Sequence, residues 1–324
     1  MKNADNTNEI SRRRFLEAAG FSMTLAALGG CGRAPTENAL PCVTQPEGTI
    51  PGRSRSYAST CGGCPAACGL LVGVRDGRPL KMEGMPEHPL SRGGLCAIGQ
   101  ALPLELYDRL RLQHPLQQGK QVDWKDIDRA IAKQLSEIAA KQGAVRFVTS
   151  TVTSPTLKSS INQFLSSFDN AQHVTFDAIS CSAILDAHEQ THGVRVLPHF
   201  RFDQARVIAS FGADFLGTWI SPVEFTAAWR AGRVPTETDA EMSHHTHLED
   251  RMSLTGSNAD RRFRLSPDDY GGVLSHLATR LVKLSDVPPP AGKLTASPIP
   301  DKEVAHLADR LWESRGASLV VCDS

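Results

Sequence analysis

Three cysteines inside eight residues, Cys61-x2-Cys64-x3-Cys68, followed at a distance by Cys96, constrain this chain more than any other feature. Three thiolates so spaced can wrap one face of an iron–sulfur cubane, and a distant fourth closes the site. Gly62, Gly63, Ala66 and Ala67 are small enough to let the backbone curl and aim its N–H groups at the sulfurs. The spacing fits a [4Fe–4S] cluster held by Cys61, Cys64, Cys68 and Cys96. Zinc is the competing ion, but structural zinc sites usually present two paired C-x2-C knuckles, and the second half here is one cysteine. Disulfides are a third reading. Between the third and fourth cysteines, the apolar runs at 70–74 and 79–83 flank Asp76-Gly77, a hairpin signal that returns the chain towards the site.

The first thirty residues read as an address. Ser11-Arg12-Arg13-Arg14-Phe15-Leu16 is a twin-arginine export signal, and the weakly apolar stretch after it, Ala18 to Gly30, is too short to cross a ~30 Å hydrocarbon core. Leu28-Gly29-Gly30-Cys31 reads as a lipoprotein cleavage box, with Cys31 lipidated. The expected location is the periplasmic side, anchored to the membrane surface by that lipid. Residues 32–53 hold four prolines and form a semi-extended tether with an isolated thiol, Cys42. Folded export weakens the disulfide reading, although the destination is oxidising. With 35 Lys+Arg against 35 Asp+Glu, the chain lacks the basic excess that a nucleic-acid binder needs.

From residue 122 onward strand and helix signals alternate. Asp123 caps a helix with Ile127, Ala130, Ile131, Leu135 and Ile138 on one stripe. Ser154-Pro155 opens another, with Leu157, Ile161, Phe164, Leu165 and Phe168 buried. Residues 145–148, 174–176 and 207–211 are short apolar strands. This rhythm predicts a parallel sheet covered by helices, with ligands beyond the strands' carboxyl ends. His244, His245 and His247 fall in a polar stretch with no carboxylate or cysteine at a set spacing, and read as exposed rather than as metal ligands. Glu249 to Arg261 reads equally as structural ion pairing or as a ligand loop. Pro288 to Pro300 is a linker, followed by a helix over 303–313 and a strand over 317–322.

Tyr57 to Leu110, centred on "CGGCPAACGLLVGVRDGRPLKMEGMPEHPLSRGGLCAIGQ", resembles the N-terminal domain of the molybdopterin oxidoreductases. Together with "PCVTQPEGTIPG" and "GADFLGTWISPVEF", the likeness is greatest to the molybdopterin-oxidoreductase-like subunit of alternative complex III, the quinol:cytochrome c oxidoreductase. The resemblance implies an α/β fold: a small N-terminal iron–sulfur domain with β-hairpins, then a parallel-sheet α/β domain, with the chain reading as the front portion of a longer polypeptide. The expected divisions are a signal at 1–30, a tether at 31–53, a [4Fe–4S] domain at 54–115, an α/β domain at 116–286, a linker at 287–300 and the start of a further α/β unit at 301–324.

The resemblance also implies function. The leading expectation is an electron-transfer iron–sulfur subunit of an exported, membrane-associated, quinol-oxidising complex. Its implied partners are a ferredoxin-like multi-cluster subunit, an integral membrane quinol subunit and a c-type cytochrome. A catalytic molybdenum reductase or dehydrogenase carrying molybdopterin guanine dinucleotide is the alternative, and a cofactor-poor scaffold is another. In the resembled family a residue near Cys181 or Ser182 can coordinate molybdenum; a buried cysteine and a helix cap are the plainer reading. Gly212-Ala213-Asp214-Phe215 follows a strand in the manner of a pterin-nucleotide loop without a full glycine fingerprint. Catalytic relatives usually place Lys two positions after the fourth cysteine, where this chain has Ile98.

Overall fold

The computed structural model describes residues 50–237, 240–285, 294 and 296–323. The twin-arginine leader, Cys31, Cys42 and nearly all of the tether lie outside the described residues, as does much of the 287–300 linker. The chain is α/β, with a small strand-rich region ahead of parallel sheets flanked by helices.

The first sheet holds β1 (Arg55–Thr60), β2 (Gly69–Arg75) and β3 (Arg78–Gly84) in that order. β2 and β3 are joined by the two-residue turn Asp76-Gly77, both at positive φ (51° and 79°). That is the turn geometry whose twist matches an antiparallel hairpin, and Asp and Gly are residues that tolerate it. The hairpin tip, residues 74–78, groups with residues up to Ser54, where the Gly52 N–H donates to the Asp76 carboxylate at 2.9 Å. All other described residues belong to a second compact unit.

Helix α1 (Ala97–Tyr107) follows, then the short antiparallel pair β4 (Leu116–Gln117) and β5 (Lys120–Gln121). Helix α2 (Trp124–Ala140) leads to β6 (Val145–Thr149), α3 (Pro155–Leu165) and β7 (Ala171–Thr175). Asp123 occupies the N-cap of α2 without a side-chain cap bond, whereas the Ser154 hydroxyl accepts from the Leu157 N–H at 3.3 Å, with Pro155 in the first turn. β6 and β7 pair in parallel as a two-stranded sheet of their own, Val145 opposite Ala171.

Helix α4 (Ser182–His192) precedes the main sheet, to which β8 (Val207–Phe211), β9 (His244–Glu249), β10 (Arg261–Arg264) and β11 (Ser318–Cys322) contribute. Its order is β10-β9-β8-β11, every pair parallel. Helices α5 (Pro222–Ala231), α6 (Leu254–Asn258), α7 (Tyr270–Lys283) and α8 (Asp301–Glu313) are the remaining described α-helices. β8 is buried on both faces, which is why it reads as the unbroken run Val-Ile-Ala-Ser-Phe. Val207, Ala209 and Phe211 join a core with Val273, Leu277, Val304 and Leu311 of α7 and α8. Ile208 points the other way, into a core with Phe202, Phe215, Trp219, Phe225 and Val321.

One sequence expectation needs correction. Residues 244–247 are not an exposed connection: they begin β9, and His245 and His247 are fully buried. The apolar periodicity that marks a strand is missing there because the inward positions are polar, with His245 and His247 both bonded to Ser210 of β8. The strand expected over 317–322 is β11, and it pairs with β8, Ser318 opposite Val207 and Cys322 opposite Phe211.

Candidate metal centre

The cysteine loop is short and closed upon itself. The Cys61 N–H donates to the Cys68 carbonyl at 2.8 Å, and the Ala67 N–H donates to the Cys64 carbonyl at 3.2 Å. Ala67 lies at φ 49°, the reversal that curls the loop back. Cys61 and Cys68 are buried with Leu70 and Met82, against Val72, Leu95, Leu102 and Val223, while Cys64 is exposed.

Cys96 reaches the loop by a return segment that backbone bonds hold in place. The Met85 N–H donates to the Gly69 carbonyl at 3.0 Å, and the Gly93 N–H donates to the Met85 carbonyl at 2.9 Å. Ser91, nearly fully buried, ties the two halves: its hydroxyl accepts from the Gly69 N–H at 3.2 Å and donates to His88 Nδ1 at 3.0 Å. Gly69 adjoins Cys68, so this contact fixes the return segment beside the third cysteine. A Cβ on Gly84 would collide with the backbone of Gly93, so that crossing is open to glycine alone. Ser91 and His88 carry no signal in the sequence; only the folded return segment reveals their part.

Cys96 is the N-cap of α1, its Sγ accepting from the Gly99 N–H at 3.5 Å. Burial pushes the Cys68 thiol up, and the neighbouring Cys64, Cys61 and Cys96 push it further the same way. Cys68 thus lies within electrostatic reach of the other three sulfurs. A polycationic group bridging them would relieve that repulsion, so the donor set fits an iron–sulfur cluster. All four are free cysteines, with no disulfide among the described residues. Ile98 is largely exposed, and its Cγ2 lies beside Gly63 in the loop.

Cys181 stands apart from this group. It precedes α4 in the N-cap position without a cap bond from its side chain, and Ser182 is the first residue of the helix. Burial raises its thiol, and the carboxylates of Asp323 and Asp177 raise it further. Asp177 accepts from the Thr151 N–H at 2.8 Å and from its hydroxyl at 2.5 Å, which hold its carboxyl below the usual range. Two carboxylates around a protonated thiol oppose both a thiolate ligand and an anionic pterin diphosphate, so this corner does not suit a molybdenum–pterin group. The Asp214 loop is also engaged: its Oδ1 accepts from the Thr255 N–H at 3.1 Å and hydroxyl at 2.8 Å. Of the two readings of Glu249–Arg261, ion pairing is seen, Glu249 with Arg262 and Asp260 with Arg233 at 2.6 Å.

Residues 54–108 match the family described as "Molybdopterin oxidoreductase Fe4S4 domain". The chain is similar to the menaquinone reductase, molybdopterin-binding-like subunit of Nitratidesulfovibrio vulgaris (35% identical over 85 residues, 25% of this chain and 12% of that protein). It is also similar to the formate dehydrogenase subunit alpha of Megalodesulfovibrio gigas (34% over 92 residues, 28% and 9%). The chain thus spans about a tenth of the length of these relatives. Among solved structures, acetylene hydratase from Pelobacter acetylenicus overlaps 70% of this chain and 32% of its own at TM-score 0.49 and 18% identity, too loose a likeness to argue from. An Fe4S4 domain holds an iron–sulfur cluster and passes electrons through it. The chain therefore carries, over residues 54–108, the Fe4S4 domain of the molybdopterin oxidoreductase family.

Proposed function

We propose that this chain is the electron-transfer iron–sulfur subunit of an exported, membrane-associated respiratory oxidoreductase that works on quinol. The observation that carries the reading is the convergence of Cys61, Cys64, Cys68 and Cys96, which we assign as the four cluster ligands. A bound [4Fe–4S] cluster supplies reversible one-electron transfer. The protein's own part is to crowd the thiols, bury two of them, place Cys96 on a helix N-terminus and hold the return segment through Ser91. Support for the quinol side comes from the relative named as a menaquinone reductase subunit. Support for export and membrane attachment comes from the twin-arginine motif and Cys31. Among the described residues no helix is long and apolar enough to cross a membrane, so attachment in this reading runs through the lipid and through partner subunits. Those partners are a ferredoxin-like multi-cluster subunit, an integral membrane quinol subunit and a c-type cytochrome.

A catalytic molybdenum enzyme is the second reading, supported by the formate dehydrogenase likeness. The carboxylates around Cys181 oppose it. Iron, acid-labile sulfide and molybdenum measured on the full chain purified from cytoplasm decide between them. About four irons per chain, a reduced-state paramagnetic signal lost in Cys64→Ser, and no molybdenum are expected. Stoichiometric molybdenum would overturn the electron-transfer assignment, and zinc in place of iron would overturn the cluster.

A further inference from the structure

One face of β9 carries Ser243, which leads into the strand, then His245, His247 and Glu249, at alternate positions and only 2%, 0%, 0% and 2% exposed. Four polar residues in file through a core are costly unless each meets a partner. Ser210 on β8, in register with His247, provides the link. Its hydroxyl lies 2.7 Å from His245 Nε2 and 2.5 Å from His247 Nδ1, and His247 Nε2 lies 3.1 Å from Glu249 Oε2.

The directions of these hydrogen bonds follow from one charge. Burial works against the Glu249 carboxylate, but hydrogen bonds from Ser253 and Arg262 hold its pKa below the usual range. An ionised carboxylate only accepts, so His247 donates from Nε2. Burial keeps that ring neutral, so its Nδ1 accepts, and Ser210 must donate to it. The single Ser210 proton is then committed, so its oxygen accepts from His245 Nε2–H, and the Nδ1 of neutral His245 is an acceptor. That Nδ1 has no partner among the described residues, and neither have Ser243 Oγ and Trp229 Nε1. The Trp229 ring stands 6.4 Å from the His245 ring, edge to face. Ser243 also lines a cavity of about 320 Å³ at the amino ends of the strands, together with Asp203, Arg206, Gly232, Thr236 and Glu241.

We propose that this file is a proton path from the amino-end cavity to Glu249 at the carboxyl edge of the sheet. A proton bound at His245 Nδ1 displaces the Nε2 proton to Ser210; Ser210 passes its own proton to His247 Nδ1; and His247 yields its Nε2 proton to Glu249. One proton enters and one leaves, no ring needs to hold a resident charge, and the reverse passage restores the starting tautomers. Ser243, which lines the cavity and precedes His245 on the same face, forms the mouth. The inference is independent of the iron–sulfur reading.

The test uses the full chain uniformly labelled with 15N. Both rings are expected as Nε2–H tautomers at neutral pH. The His247 Nε2–H should exchange with solvent about a hundredfold faster than the backbone amides of Thr246 and Leu248, whose exchange requires the sheet to open. Ser210→Ala should slow His247 exchange about tenfold and leave those amides unchanged, because the relay breaks while the sheet does not. Ser243→Ala, at the mouth, should slow both rings and serves if the first variant does not fold. An Nδ1–H tautomer at His245, imidazole exchange that tracks the amides in the parent protein, or ring exchange indifferent to both substitutions would overturn the path.

Discussion

Acid is the perturbation to which this fold should respond most legibly, and His245 is the reason. Burial first, then the neighbouring His247 and Arg233, push its pKa down to about 3, against a partial pull upward from Asp260. The folded state therefore favours the neutral ring, and the unfolded chain binds the proton more readily once pH drops below about 6.5. Stability from this residue is fully present above that value and is lost progressively as pH falls towards 3. Each pH unit in the window is worth about 1.4 kcal/mol, so between pH 6.5 and 5.0 His245 alone removes about 2 kcal/mol. That window avoids the carboxylates whose pKa values lie below their ordinary range, such as Asp260 and Glu249. The measurement is urea unfolding followed by tryptophan fluorescence at several pH values, with a constant m-value as the check on two-state behaviour. His245→Phe keeps the ring among Phe215 and Trp229 and removes the proton site. Its stability should fall with acid less steeply than the parent's by about 1.4 kcal/mol per pH unit. Equal slopes in parent and variant would refute the reasoning, since His247 remains in both.

Three further outcomes are expected. Gly84→Ala forces the return segment off the Gly93 backbone and with it Cys96, so iron and sulfide per chain should fall well below the parent's; full occupancy would contradict the account of that crossing. In Gly256→Ala the new Cβ overlaps the Glu249 carboxylate, which must leave Arg262 and His247 while still buried; a loss of about 3 kcal/mol in urea unfolding is expected, and under 1 kcal/mol would count against it. Ser154→Ala removes the cap at the start of α3 and should cost about 1 kcal/mol, read by the same unfolding assay.

Where the sequence spoke clearly, it did so through local rules. The Asp76-Gly77 turn, the Ser154-Pro155 helix start and the Val207–Phe211 strand each follow from a few adjacent residues, and each stands where those residues place it. The iron–sulfur reading of the cysteine spacing was equally local, and residues 54–108 match an Fe4S4 domain. β9 was not, since its inward residues are His, His and Glu, and polar residues are stable in a core only through partners elsewhere, here Ser210, Ser253 and Arg262. The same holds for Ser91 and His88: a loop serine becomes a buried brace only when residues 69 and 91 meet. The destination of β11 was also hidden, because no local pattern says which strand another will join.

The β8–β11 pairing has a consequence in time. β8 sits inside the main sheet, yet one of its two neighbours arrives about 110 residues later in the chain, and closing so long a loop is slow relative to local structure. The cysteine loop, its hairpin and its return segment all fall within residues 54–108. During synthesis the metal site can thus take shape while the sheet still lacks an edge strand. Docking of β11 against β8 then completes a sheet laid down after the cysteine loop has already closed on itself.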